Sequence, residues 1–201
     1  MLKRLFGRSR FDDVSHDLYD AIVAQARQPA FYTHFAVPDS VDGRFDLVVL
    51  HAILTMRRLR RCGAEGEARV QKLFDLMFAD FDRALREMGV GDLRVGKRIK
   101  QMAGAFYGRA STYGAALDGA ETGDLGDALR RNLYGTADPV ATILEAMAGH
   151  VLSQDRHLTG LPDEDILAGR LNFLPVPTLL RDTVRDIVSD EDACRPQGTP
   201  R

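Results

Sequence analysis

Three features predict a single compact all-α domain of six to eight helices. Apolar residues recur at three- and four-residue spacing along most of the 201-residue chain. Glycine and proline break that pattern at helix-length intervals. No segment alternates apolar and polar residues as a half-buried strand would, and the β-branched pair Val48-Val49 sits inside a helical period.

The first helix is expected over Asp13–Gln28, where Val14, Leu18, Ile22 and Ala26 share a face and Pro29 stops the run. The segment PAFYTHFAVPDSVDG that follows reads as a loop. It is too apolar to be a free linker, so Phe31, Tyr32 and Phe35 should pack on the helices. A second helix, Arg44–Arg61, is apolar around most of its circumference, as expected of the central helix of a bundle. The Gly63–Gly66 stretch should end it. A third, Glu67–Met88, carries Val70, Leu73, Phe74, Met77, Phe78, Phe81 and Leu85 in unbroken period, and Gly89 is placed to cap it.

The fourth helix, Leu93–Leu117, has a stripe of Val95, Ile99, Met102, Phe106, Ala110, Tyr113 and Leu117. It also carries Gly96, Gly104, Gly108 and Gly114. Each glycine costs roughly 1 kcal/mol relative to alanine, so another backbone is expected close by. Leu125–Tyr134 reads as a fifth helix capped by Asp124. A sixth opens at Asp138-Pro139, and a short seventh spans Asp163–Arg170. NFLPVP breaks the pattern, and a last short helix is expected over Leu179–Val188. The domain is thus 13–188, between a basic flexible N-terminus (1–12) and a disordered tail (189–201).

Composition narrows the function classes. The chain is 45% hydrophobic and 28% charged, with net charge −2. That is ordinary for a globular protein and lacks the basic excess of a general DNA binder. No apolar run approaches the roughly 20 residues of a membrane span. MLKRLFGRSRF lacks the apolar core of a secretory signal, so a cytoplasmic location is expected. Leu2, Leu5 and Phe6 with their neighbouring cations suit a peripheral contact with the inner membrane, and a membrane-surface helical adaptor is one alternative function. Cys62 and Cys194 read as free thiols.

Catalytic signatures are scarce. Asp12, Asp13 and Asp17 form a DDxxxD run like that of magnesium-dependent prenyl-diphosphate enzymes. The facing motif this chemistry needs has only Asp163-Glu164-Asp165 or Asp190-Glu191-Asp192 as candidates. Acidic residues in a first helical turn already suit the helix dipole. GVGDLRVG follows a helix rather than a strand, which argues against a phosphate loop. The five histidines form no metal-binding spacing, and His51 reads as a core residue. No catalytic residue, metal or cofactor is expected. The basic clusters are more informative: Arg57, Arg58, Arg60 and Arg61 close the second helix, and Arg94, Lys97, Arg98, Lys100 and Arg109 decorate the fourth. A link from Asp80 or Asp82 to Lys97, Arg98 or Arg109 would fix the intervening turn.

Two segments carry a family resemblance: QPAFYTHFAVPDSVDGRFDLVVLHAILTMRRL (28–59) and LFDLMFADFDRALREMGVGDLRVGKRIKQMAGAFYGRASTYGAAL (73–117). Together they resemble the ubiquinol–cytochrome c chaperone family, over roughly residues 10–185. The resemblance implies a non-enzymatic, all-α assembly chaperone without a cofactor, in a bacterial member. Its implied client is newly made cytochrome b, on the way to the ubiquinol–cytochrome c reductase complex. A ribosome or a small helical partner is implied beside it. Asp92, Lys97, Lys100, Tyr107, Arg109 and Tyr113 are the expected client-binding residues, with Phe31, Tyr32, Asp39, Arg44 and Asp46 as rim or loop scaffold.

Overall fold

The computed structural model describes residues 10–119, 122–135 and 137–177. Among them are eight α-helices and no strand: α1 (Arg10–Ala26), α2 (Ala30–Thr33), α3 (Val41–Arg60), α4 (Gly63–Glu87), α5 (Asp92–Gly119), α6 (Thr122–Leu129), α7 (Ala141–Thr159) and α8 (Asp163–Leu167). The helix expected over Leu179–Val188, the tail, Cys194 and residues 1–9 lie outside the described residues.

α3 is the central helix, as its all-round apolar sequence requires. Leu47 through Met56 are buried without interruption, and α1, α4, α5 and α7 pack around it. Ser40 caps it, its Oγ accepting from Gly43 N at 3.1 Å. The loop aromatics pack inward as expected: Phe31 and Phe35 are fully buried. A four-residue helix, α2, lies hidden in that loop.

The arginine cluster closing α3 is structural. Arg57 ties α3 to Asp118 (2.9 Å) and to Asp155 of α7 (3.2 Å). Arg58 pairs with Asp163 and donates to Leu161 O at 2.6 Å. Arg61 donates to Thr159 Oγ1 at 2.9 Å. Asp163 is thereby committed to Arg58, and Asp165 pairs with Arg170 at 2.6 Å. Asp13 and Asp17 are exposed on α1. Among the described residues no group of three or more His, Cys, Asp or Glu is placed to hold a metal.

Four local expectations are corrected. Gly63 to Gly66 begin α4 rather than separating it from α3. The fifth segment is not one α-helix, because α6 passes into a π turn over Arg130–Tyr134. An α-helical continuation would carry Tyr134 half a turn away from Leu125; the wider turn returns it to the core, where its hydroxyl donates to Phe35 O at 2.8 Å. α7 starts after Val140, so Asp138-Pro139 precedes the helix. Finally, no backbone approaches Gly96, Gly104 or Gly108, whose missing Cβ atoms would meet nothing within 4 Å. They lie on the outer face of α5. Close approach occurs instead at Gly43 and Gly66.

At the α4–α5 turn Gly89 caps as expected, with φ +81° and Val90 N donating to Leu85 O at 3.0 Å. The turn is not fixed by Asp80 or Asp82 reaching α5. Asp80 accepts from Tyr19 at 2.9 Å, and Asp82 stays on its own helix with Arg86 at 2.6 Å. Arg86 makes the link across the turn, to Asp92.

Candidate functional site

A groove runs between the N-terminal half of α3 and the α5 helix. Its inner part, of about 460 Å³, reaches the π turn and is lined by Phe45, Asp46, Met102, Arg109, Arg131 and Leu133 among others. Its outer part is walled by Val41, Leu85, Met88 and Val90, with Arg94 and Lys97 beside them. Val41, Asp42, Leu85, Arg98 and Gln101 line both parts, so the two are continuous.

The groove exists because of local sequence. Asp39 and Ser40 turn the chain into α3, while Gly43 lets that helix start tightly against Pro38, whose carbonyl oxygen a Cβ would meet at 2.1 Å. This leaves Val41 and Asp42 on one lip. On the other, α5 turns Val95, Ile99, Met102 and Phe106 inward and presents Arg98, Gln101 and Arg109 along its flank. The π turn closes the far end, a form of helix often found at functional sites.

At the floor, Arg109 Nη2 lies 2.8 Å from Asp46 Oδ1, with the two side chains 18% and 12% exposed. The approach misses hydrogen-bond alignment and leaves that oxygen without a bonded donor. The Arg109 guanidinium also stacks near Phe45, 5.9 Å from the ring centre. Burial drives the Asp46 pKa up to about 7; Arg109 pulls it down and Asp42 adds to the rise. Across this interval the native carboxyl keeps a proton that the unfolded chain has lost, so this group makes stability fall as pH rises from about 4 to 7. Asp46→Asn removes that slope. Thermal melts between pH 5 and 7 should show the variant gaining about 1.4 kcal/mol per pH unit relative to the parent. A constant difference would place the Asp46 pKa near the ordinary value.

The structure separates the residues singled out from the sequence. Asp46, Lys97 and Arg109 line the groove. Asp92, Lys100 and Tyr107 are exposed on the outer side of α5; Tyr107 is 61% exposed and packs its ring 5.6 Å from Phe74. Tyr113 is 1% exposed and belongs to the core, so it presents no surface to a client. Phe31 is also core, as loop scaffold. Tyr32 is half-buried and its hydroxyl donates to Ala26 O at 3.2 Å. Asp39 and Arg44 form an exposed pair at 2.7 Å beside the start of α3. Sequence reading missed Val41, Arg98, Gln101 and Arg131 as groove residues; Val41 falls in the segment read as a loop, and Arg98 and Gln101 sit at helix positions polar enough to read as ordinary surface.

Comparison with known proteins joins this geometry to a family. The family model described as ubiquinol-cytochrome C chaperone matches residues 33–173, which takes in both walls of the groove. The chain is 24% identical over 166 residues to the Mus musculus ubiquinol-cytochrome c reductase complex assembly factor 1, covering 79% of this chain and 54% of that protein. It thus spans about half the length of this relative. The Xenopus laevis counterpart is 24% identical over 156 residues, covering 75% of the chain and 74% of the relative. The crystal structure of the Cbp3 homolog from Brucella abortus has a TM-score of 0.75 and 35% identity, covering 83% of this chain and 91% of that one. With the match spanning the helices that build the groove, the chain belongs to the ubiquinol–cytochrome c chaperone family.

Proposed function

We propose that the protein is a non-enzymatic assembly chaperone for the ubiquinol–cytochrome c reductase complex, and that it holds newly made cytochrome b. In this reading it works in the cytoplasm, at the inner face of the membrane that receives the client. The observation that carries the proposal is the continuous groove, apolar along its walls and edged by Arg94, Lys97, Arg98 and Arg131. An unassembled membrane subunit offers apolar segments that need cover and loops that suit a cationic edge. Lys97 and Arg109 meet the client in the groove and Tyr107 meets it on the flank. Asp46 sets the position of Arg109.

Two measurements test this. Membranes from cells lacking the gene should lose the reduced-minus-oxidised b-type cytochrome signal and ubiquinol–cytochrome c reductase activity, both restored by the gene. A photo-crosslinking residue at Gln101 or Tyr107 should capture cytochrome b, and one at Val140 should not. Lys97→Glu combined with Tyr107→Ala, both exposed and so harmless to folding, should lower capture about tenfold. Unchanged spectra, or capture independent of these positions, would overturn the client or the surface respectively.

A further inference from the structure

Among the described residues five large apolar side chains are more than half exposed: Val41, Met88, Leu93, Tyr107 and Val140. Single exposed apolar residues are ordinary. Here Val41 and Met88 share the outer groove, and Leu93 stands beyond it at the start of α5. Leu93 is 98% exposed and lines neither part of the groove. It sits where a short turn joins two long helices, α4 and α5, at the tip of a helical hairpin.

The charges around that tip are predominantly positive. Residues 82–101 hold six cations against three carboxylates, in a chain of net charge −2. Two of those carboxylates, Asp82 and Asp92, are already bound by Arg86. Arg94, Lys97 and Lys100 have no ion-pair partner among the described residues; Arg27, Arg61, Arg131 and Arg156 have none either, but they are scattered along the chain, whereas these three fall within seven residues of one helix. Leu93, Lys97 and Lys100 follow at three- and four-residue steps, so they share one helix face. The outer face of α5 beyond them is bare, since Gly96, Gly104 and Gly108 have open space above them.

We infer that the α4–α5 hairpin tip docks on an anionic lipid surface, Leu93 and Met88 entering the head-group layer while Arg94, Lys97 and Lys100 meet lipid phosphates. A protein partner would have to supply a pocket shaped for Leu93, which is 98% exposed and lies outside the groove. A lipid surface needs no such pocket: it takes a protruding apolar side chain ringed by cations. Met88, Arg94 and Lys97 also line the outer groove, so the lipid contact adjoins the client surface. Leu93 and Lys100 lie off the groove, so substitutions there test the lipid contact alone.

The chain has no tryptophan, so Leu93→Trp in the full chain is a single reporter. With vesicles of phosphatidylcholine plus phosphatidylglycerol, its emission should shift to the blue and be quenched by brominated acyl chains. Phosphatidylcholine alone should give neither effect, and Val140→Trp should stay unshifted throughout. Leu93→Asp and Lys100→Glu should each lower vesicle partitioning roughly fivefold or more, and salt should weaken it. Unshifted Leu93→Trp emission overturns the inference and leaves the patch to an acidic protein. Full partitioning by Leu93→Asp and Lys100→Glu, with loss only on removal of residues 1–9, overturns it in favour of the N-terminal segment. Cytochrome b capture by Leu93→Asp should remain at parental level in detergent, which separates this result from the fate of the chaperone reading.

Discussion

Acidification from pH 6.5 to 4 should cost the fold several kcal/mol through His51 and His150. Both imidazoles are buried, 2% and 6% exposed, with ring centres 5.3 and 5.8 Å from that of Phe31. His51 Nδ1 donates to Leu47 O at 2.7 Å, which fixes a neutral tautomer. Burial lowers the pKa of His51 to about 4, the Leu47 carbonyl partly opposing and His150 adding to the fall. Burial alone lowers His150 to about 4. Between pH 6.5 and 4 the unfolded chain therefore binds two protons that the native state refuses. Stability is full above pH 6.5 and is lost as pH falls. At 1.36 kcal/mol per unit this is roughly 3 kcal/mol for each histidine, a large share of the 5–15 kcal/mol typical of a domain. Asp46 acts with the opposite sign over the same interval, so the net loss is smaller than the histidine sum. Urea unfolding at pH 7, 5.5 and 4.5 should show the decline. Imidazole proton signals that titrate near 6.5 in the native state would remove this account.

The same histidines organise the non-helical end of the described chain. Gln154 Nε2 faces His150 Nε2 at 3.3 Å and donates to Leu174 O at 2.8 Å, while Leu174 N donates back to Gln154 Oε1 at 2.9 Å. The Phe173 ring meets His51 edge-on at 5.2 Å. NFLPVP, unable to continue a helix, is thus clamped across α7 by side chains. Protonating His150 would place a cation beside that clamp, so the acid transition should begin with release of this segment.

The long helices were legible because each buries one stripe, or in α3 nearly its whole surface, and period alone reveals that. The same period placed Tyr113 on the inward stripe of α5 with Phe106 and Leu117. Naming it also as client-facing, on residue type, conflicted with its own position, and the periodic reading is the one the structure obeys. α2 escaped notice because four residues cannot establish a period. The π turn escaped because nothing in RRNLY differs from an α-helical run. The Asp46–Arg109 pair needed knowledge of which helices cross. Both residues were singled out, but α5 was expected to find its counter-charges on α4, its sequence neighbour, and it finds them on α3. The glycines of α5 misled for a related reason. Glycine marks either close approach or an uncovered face, and only the crossing geometry distinguishes the two.

Gly66→Ala should destabilise the fold by roughly 2–4 kcal/mol, because a backbone clash that cannot relax outweighs the helix gain of about 1 kcal/mol. α3 and α4 are joined through Arg61 and Cys62 alone, so the two helices meet at a corner with no slack. An alanine Cβ at position 66 would lie 1.9 Å from Leu59 O and 2.9 Å from Leu59 C. These are backbone atoms and cannot rotate away. Leu59 O is also held by Cys62 N at 2.9 Å. Relief requires α4 to move off α3, which opens the shared core of Leu59, Val70 and Leu73, each of them buried. Gly104→Ala is the matched control: its Cβ meets nothing, and in a helix interior alanine should add about 1 kcal/mol. At about 2–4 °C per kcal/mol for a domain of this size, Gly66→Ala should melt several degrees below the parent and Gly104→Ala a few degrees above it. Equal melting temperatures for the two variants would mean that the α3–α4 corner is looser than its backbone contact requires. In that case the depth of the groove, whose wall α4 supplies through Leu85 and Met88, would not be fixed by this corner.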